Sequence, residues 1–417
     1  MHAADALLRS AARWLLVVLP LGVWLRSAFV WAHTPGPFTW ANLIHAHSHT
    51  AYFGWAGLGL MGLMLAVLPS LTGRAVADSA PLRWLLRLAP WAVGGALVTF
   101  AWQGYGGLSI AFSTLNEVLW FLFAALFWRE VREQPVRRWH PALWLMGSAV
   151  LLLLLSSLGA LVVIVAEVIL KTSDPVLANL GIYLFLQAYG DGWLEVGLMG
   201  VAAALAPGAL ADRRLAGWQA VAMLALMAPA SLRLLVPFGL SGPLLTAGII
   251  AGVGLGVAQL AYLWNMRHAA LPEAARLWFL LAGAALAVKA LLEAVPLLDG
   301  WVAMAQSRNL VIAFLHLKLL LVVSAAMIGG LVRVGRGASR YSFWLFGLGT
   351  GTMVAALAAH GFWAAGDLAL GQLLYQVAFW AGLLSATALA WAVYPSTAPA
   401  LGWRPQALST LNRQPSR

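Results

Sequence analysis

Long apolar runs dominate the chain and alternate with short polar punctuation from one end to the other. Runs long enough to cross about 30 Å of hydrocarbon begin near Arg13, Ile44, Trp84, Leu108, Pro141, Ala178, Gly217, Pro243, Leu277, Asn309, Tyr341 and Leu368. Gly, Pro and charged residues separate them, as at 35–37, 207–208 and 241–243. The pattern predicts an all-α, polytopic integral membrane protein of about twelve transmembrane helices. It forms one bundle domain over residues 1–395, followed by a short basic tail, 396–417. The first run, 14–31, has no small-residue cleavage site and reads as a first span rather than a removable signal.

Positive charge tests that count. Lys and Arg cluster at the N-terminus (Arg9, Arg13), at the C-terminus (Arg404, Arg413, Arg417) and in every even-numbered loop. Those loops hold Arg74, Arg83 and Arg87; Arg129, Arg132, Arg137 and Arg138; Arg213 and Arg214; Arg267 and Arg276; and Arg333, Arg336 and Arg340. The odd loops hold only Lys171 and Arg308. Short cytoplasmic loops carry the excess of Lys and Arg in membrane proteins. The alternation therefore places both termini in the cytoplasm of a bacterial-type inner membrane.

Composition narrows the classes further. The chain is 62% hydrophobic and 9% charged, with mean hydropathy +0.85, whereas soluble domains are roughly 25% charged. Lipid is its main solvent. The formal net charge of +11 is accounted for by topology and does not imply a nucleic-acid partner. With no cysteine, disulfides and thiolate sites are excluded, leaving histidine and carboxylate as the strong metal or heme ligands.

Polar residues within the spans mark candidate chemistry, and depth follows from about 1.5 Å per residue. His45, His47 and His49 open span two, His316 lies about two turns into span ten, and His360 lies near the end of span eleven. All are expected on the outer side, as is His33, whereas His2, His140 and His268 read as cytoplasmic surface residues. At helical spacing His45 and His49 share a face and His47 points elsewhere. Arg26 and Arg233 sit near outer span ends. Lys289 and Glu293 have the (i, i+4) spacing of an ion pair. Glu117, Asp191, Glu195 and Lys318 are nearer mid-membrane. Ionisable groups at such depth usually face a bundle interior or a cavity, and together these residues suggest a polar chamber.

The run HAHSHTAYFGWAGLGLMGLMLAVLP (45–69) resembles the second span of heme-copper oxidase subunit I and of its nitric oxide reductase and NnrS-type relatives. The segment AFLHLKLLLVVSAAMIGG (313–330) is similar to their tenth span, and twelve spans with both ends inside is that family's architecture. The resemblance implies an oxidase-like bundle holding a b-type heme. His316 would be one axial ligand, one of His45, His47 or His49 the other, and Arg26, Arg233 and Arg308 would neutralise heme propionates.

This sequence also departs from that pattern. Phe314 stands where the high-spin heme ligand is expected. Span six offers Gln187 or Asp191, within Tyr189-Gly-Asp191-Gly-Trp193-Leu-Glu195, in place of a copper-ligating histidine. Leu232-Arg233-Leu234 lacks the His-His pair of span seven. The usual binuclear centre cannot be assembled from these residues.

Two functions follow as expectations. One is a heme protein of respiratory electron transfer or nitric oxide handling. It would carry a proton relay through Glu117, Lys289, Glu293 and Lys318, a copper or non-heme iron site using His360, Asp191 and Glu195, and respiratory subunits or quinol as partners. The other is a transporter or metal permease whose histidines capture a cation at the outer mouth. No nucleotide loop or hydrolase signature is present.

Overall fold

The protein is described from a computed structural model over residues 2–133, 135–136, 139–298, 301–336, 340–364 and 367–397. The tail from 398 onward lies outside the described residues, as do Arg137 and Arg138 of the basic loop after span four. Helices and short connections make up the described residues, with no strand among them.

Among the described residues, eleven helices are long and apolar enough to cross a membrane. Spans one to five are Ala3–Ser27, Trp40–Thr72, Ala80–Gln103, Gly107–Val131 and Pro141–Ala166. Spans seven to twelve are Arg213–Phe238, Gly242–Asn265, Ala275–Leu297, Arg308–Arg333, Arg340–Trp363 and Leu368–Thr397. The expected sixth span is one continuous helix, 175–205, running from Pro175–Phe185 through a π-helical stretch, Leu186–Val196, into Gly197–Leu205. It falls below its neighbours in hydropathy because Asp191 and Glu195 lie at its centre. The chain is a multi-pass membrane protein.

Local chemistry sets where these helices begin and change pitch. Thr39, Asp174, Asp212 and Asp367 occupy N-cap positions and accept from Asn42, Val176, Leu215 and Leu370 N–H groups, respectively. Each satisfies a donor that the first turn leaves without an intrahelical partner. Pro229 cannot donate to the helix ladder, and soon after it span seven tightens into a 3₁₀ segment, Ser231–Phe238. Further π-helical stretches occur at Thr50–Gly57, Ile164–Ile169 and Leu317–Ser324. Such stretches are rare and tend to mark functional positions. Here one starts directly after His49, another directly after His316, and a third carries both Asp191 and Glu195.

Contacts divide the chain into two compact units. The first comprises Met1–Pro135, Pro272–Phe279 and Ser324–Arg417. Span two is central to its packing: its apolar stretch is 94% buried, against 33–61% for the other ten spans. The Trp55 indole donates to Ser324 Oγ at 2.9 Å, and the Thr350 and Ser385 hydroxyls join spans eleven and twelve at 2.6 Å. The second unit comprises Val136–Leu271 and Leu280–Val323. Within it Ser148 Oγ donates to the Ala220 carbonyl and Tyr262 to the Met199 carbonyl. In both units these bonds satisfy polar groups that lipid could not.

Candidate functional site

Each unit brings together its own set of candidate residues. In the second unit, five helices contribute to a buried network of charge. Lys289 of span nine is fully buried. Its Nζ stands 3.1 Å from Glu195 Oε2, 3.2 Å from Glu293 Oε1 and 3.5 Å from Asp191 Oδ1. Lys318 of span ten reaches the same Asp191 oxygen at 2.9 Å. Arg233 of span seven pairs with Glu293 and also donates to the Ala230 carbonyl. Gln259 of span eight donates to Glu195 Oε2 at 3.3 Å. Three carboxylates thus face three cations, and the formal charge sums to zero when all are ionised. A buried charge is tolerable in a low-dielectric interior only when paired in this way.

Lys289 and Glu293 do form the pair their spacing suggested, but as part of a larger assembly. Arg233, expected near a span end, has its guanidinium engaged by Glu293 inside this network. Gln259 was not anticipated. The available signal was a lone amide within the apolar run Gly252-Val-Gly-Leu-Gly-Val-Ala-Gln259-Leu, where an unpaired polar side chain needs a partner. His316 lies in this unit at the end of its α-helical turn, with Nδ1 2.7 Å from the Ile312 carbonyl. A carbonyl only accepts, so Nδ1 carries the proton and Nε2 has the lone pair that binds metals.

In the first unit the three histidines of span two separate by face. His47 turns towards span one, where its ring fills the space that Gly22 leaves. A Cβ on Gly22 would stand 2.7 Å from His47 Cε1. His47 Nδ1 is buried without a hydrogen-bond partner among the described residues. Arg26 lies one turn beyond Gly22 on span one, with its guanidinium 5.6 Å from the centre of the Phe29 ring.

His45 and His49 turn towards span three. The His49 ring stacks on Phe100 at 3.9 Å, and its Nδ1 lies 2.9 Å from the His45 carbonyl. His45 stands edge-on to Tyr105 with ring centres 4.7 Å apart. Elsewhere in this unit, His360 packs on Tyr375, ring centres 4.1 Å apart, and Glu117 is half-buried on span four. No group of three or more His, Asp or Glu among the described residues is arranged to hold a metal ion.

Neither a protein-family model nor a curated protein matches the chain. Its coordinates are nonetheless similar to a chain in the cryo-EM structure of a heme-copper terminal oxidase dimer. The TM-score is 0.70 at 13% identity, over 96% of this chain and 85% of that one. The fold is that of a heme-copper oxidase. At such low identity the likeness speaks for the oxidase-like bundle itself and for nothing bound to it.

Proposed function

We propose that this protein is a heme-binding membrane protein of respiratory electron transfer or nitric oxide handling, built on the oxidase fold without an oxygen-reducing binuclear centre. The observation that carries the reading is His47: a half-buried imidazole whose Nδ1 is buried and unspent, seated where Gly22 makes room, one turn of span one from Arg26. That is the donor set a b-type heme needs on this side, with imidazole for the iron and guanidinium for a propionate. His316, within its own unit, is held in the tautomer that presents Nε2 to iron and is the candidate ligand on span ten. A bound heme would supply one-electron chemistry, and the axial residues would set its potential.

The spans that provide copper ligands in the resembled family do not fit copper here. Gln187 or Asp191 in span six and Arg233 in span seven take those positions, and the charged groups of Asp191 and Arg233 are engaged with Lys289, Lys318 and Glu293. In this reading the network is a neutral polar core in which Lys289 and Lys318 hold their protons against the carboxylates of Asp191, Glu195 and Glu293, while Glu117 is a proton-carrying candidate on span four. Partner subunits or quinol would supply electrons.

The test is an optical spectrum of purified protein, oxidised and dithionite-reduced, with pyridine hemochrome. The expected result is a sharp reduced α-band and about one heme per chain. His47→Ala and His316→Ala should each abolish heme loading while the chain still inserts, and His45→Ala should leave it intact. Colourless protein from cells supplied with heme, or full heme in His47→Ala, would reject the reading. Metal-dependent uptake by such heme-free protein would put transport in its place.

A further inference from the structure

The second face of span two carries donors that the heme reading does not use. His45, His49 and Tyr105 form a triangle of rings, with centres 4.7 Å apart for His45 and Tyr105, 5.9 Å for His49 and Tyr105, and 6.4 Å for the two histidines. The two imidazoles are one helical turn apart on a common face, the spacing at which side chains of one helix meet.

Tyr105 is not there by accident of a loose loop. It belongs to the tight connection between spans three and four, where Gly104 has φ +60 and a Cβ on it would stand 2.6 Å from Asn42 Oδ1 of span two. Gly106 N–H donates to Ser109 Oγ at 2.9 Å, and that hydroxyl also bonds the Gly104 carbonyl. The loop is fixed to its own helix and lies against the start of span two, so Tyr105 is held over the histidine pair.

The donors are poised as well as close. His49 Nδ1–H is taken by the His45 carbonyl, which leaves Nε2 as its metal-binding nitrogen; a ligating histidine is commonly fixed in this way. Stacking on Phe100 holds the ring plane. His45 is half-buried and Tyr105 largely exposed, so an ion has access and open coordination positions remain.

We propose that His45, His49 and Tyr105 form a surface-accessible transition-metal site, separate from the residues of the heme reading. Two imidazoles and one phenol oxygen, with no carboxylate among the donors, select late first-row ions over calcium or magnesium. Copper(II) is the strongest fit in that series. The phenol would bind as phenolate, its proton passing to solvent, because a bound cation lowers the pKa of its ligands.

The proposal is tested on the full chain with any affinity tag removed, equilibrated with copper(II), dialysed, and analysed for copper and heme in the same sample. The expected result is about one copper per chain, an EPR spectrum with nitrogen splitting and a phenolate-to-copper absorption band. His45→Ala and His49→Ala should each weaken binding at least about tenfold, the lower end of what disturbing even the outer partners of a ligand does. Tyr105→Phe should retain copper and lose the band. His47→Ala should keep copper whatever becomes of its heme, which separates the two readings. Wild-type protein that holds no copper, or lacks the phenolate band, overturns the proposal. So does a His45→Ala variant that binds copper like the wild type, or loss of copper in His47→Ala. Because His45 is half-exposed, its replacement leaves the helix packing in place.

Discussion

The two units treat polarity in the membrane in opposite ways. In the second, Asp191, Glu195 and Glu293 are answered by Lys289, Lys318 and Arg233, and one amide, Gln259, joins them. In the first, span two carries three imidazoles that can remain neutral, so none needs a counter-charge, and their ring nitrogens are left with binding capacity. A charge buried away from water has to be held against an opposite charge. A neutral imidazole costs less to bury and keeps a lone pair. The comparison teaches that the conspicuous charges of this protein are structural ballast for the fold, and that its chemistry is to be sought at the histidines.

Removing the central ammonium would break the comparison most severely. Lys289→Met leaves three buried carboxylates facing two cations and takes from Glu195 the ammonium 3.1 Å away. Breaking a buried pair from one side costs about 3–5 kcal/mol. The expected outcome is a large fall in thermal unfolding temperature in detergent and poor recovery of folded protein. A Lys289→Met protein as stable as wild type would show that the network is not charged in the way its geometry implies.

Arg233 and Glu293 sharpen the same point by cancellation. Arg233→Met alone leaves a net negative network, and Glu293→Leu alone a net positive one. The double substitution leaves Lys289 and Lys318 facing Asp191 and Glu195, which balance. It should therefore be more stable than either single variant, with a coupling of about 0.5–3 kcal/mol between the two sites in a thermal-unfolding cycle. Strict additivity would mean that the two groups do not share one electrostatic environment.

Much of this contrast was legible in the sequence, for a physical reason. Crossing hydrocarbon requires long apolar helices, so the spans and their order follow from run length alone. The (i, i+4) rule pairs Lys289 with Glu293 and separates His47 from His45 and His49 from spacing alone. Contacts between distant helices were not legible. Nothing local says that Arg233 meets Glu293, that Gly22 makes room for His47, or that Tyr105 lies over His45. The sixth helix lay between these cases: its length was readable, whereas its π-helical stretch, which carries Asp191 and Glu195 towards one lysine, was not. His140 shows the same limit at a smaller scale. It reads as an ordinary surface residue and is exposed, but its capping of span five was not legible.

His140 also offers the mildest contrast between a histidine used for structure and one available for binding. It is the N-cap of span five, and its Nδ1 accepts from the Ala142 N–H at 3.2 Å. Part of the ring faces water, but the remaining burial, and then the charge of Arg213, lower its pKa from the ordinary histidine value of 6.5. The folded state thus binds a proton less readily than the unfolded one. Between the lowered pKa and 6.5, the unfolded chain holds more protons, so stability rises with pH in that window and falls on acidification through it. Protonation also removes the lone pair that caps the helix. The loss should be small, about 0.5 kcal/mol at most, the low end of what a cap contributes. His140→Asn keeps an acceptor that does not titrate, so hydrogen exchange at the first turn of span five should become independent of pH across that window once intrinsic exchange rates are divided out. If wild type and His140→Asn show the same acid sensitivity there, the cap is not what titrates, and the source lies with another group at that end of the helix.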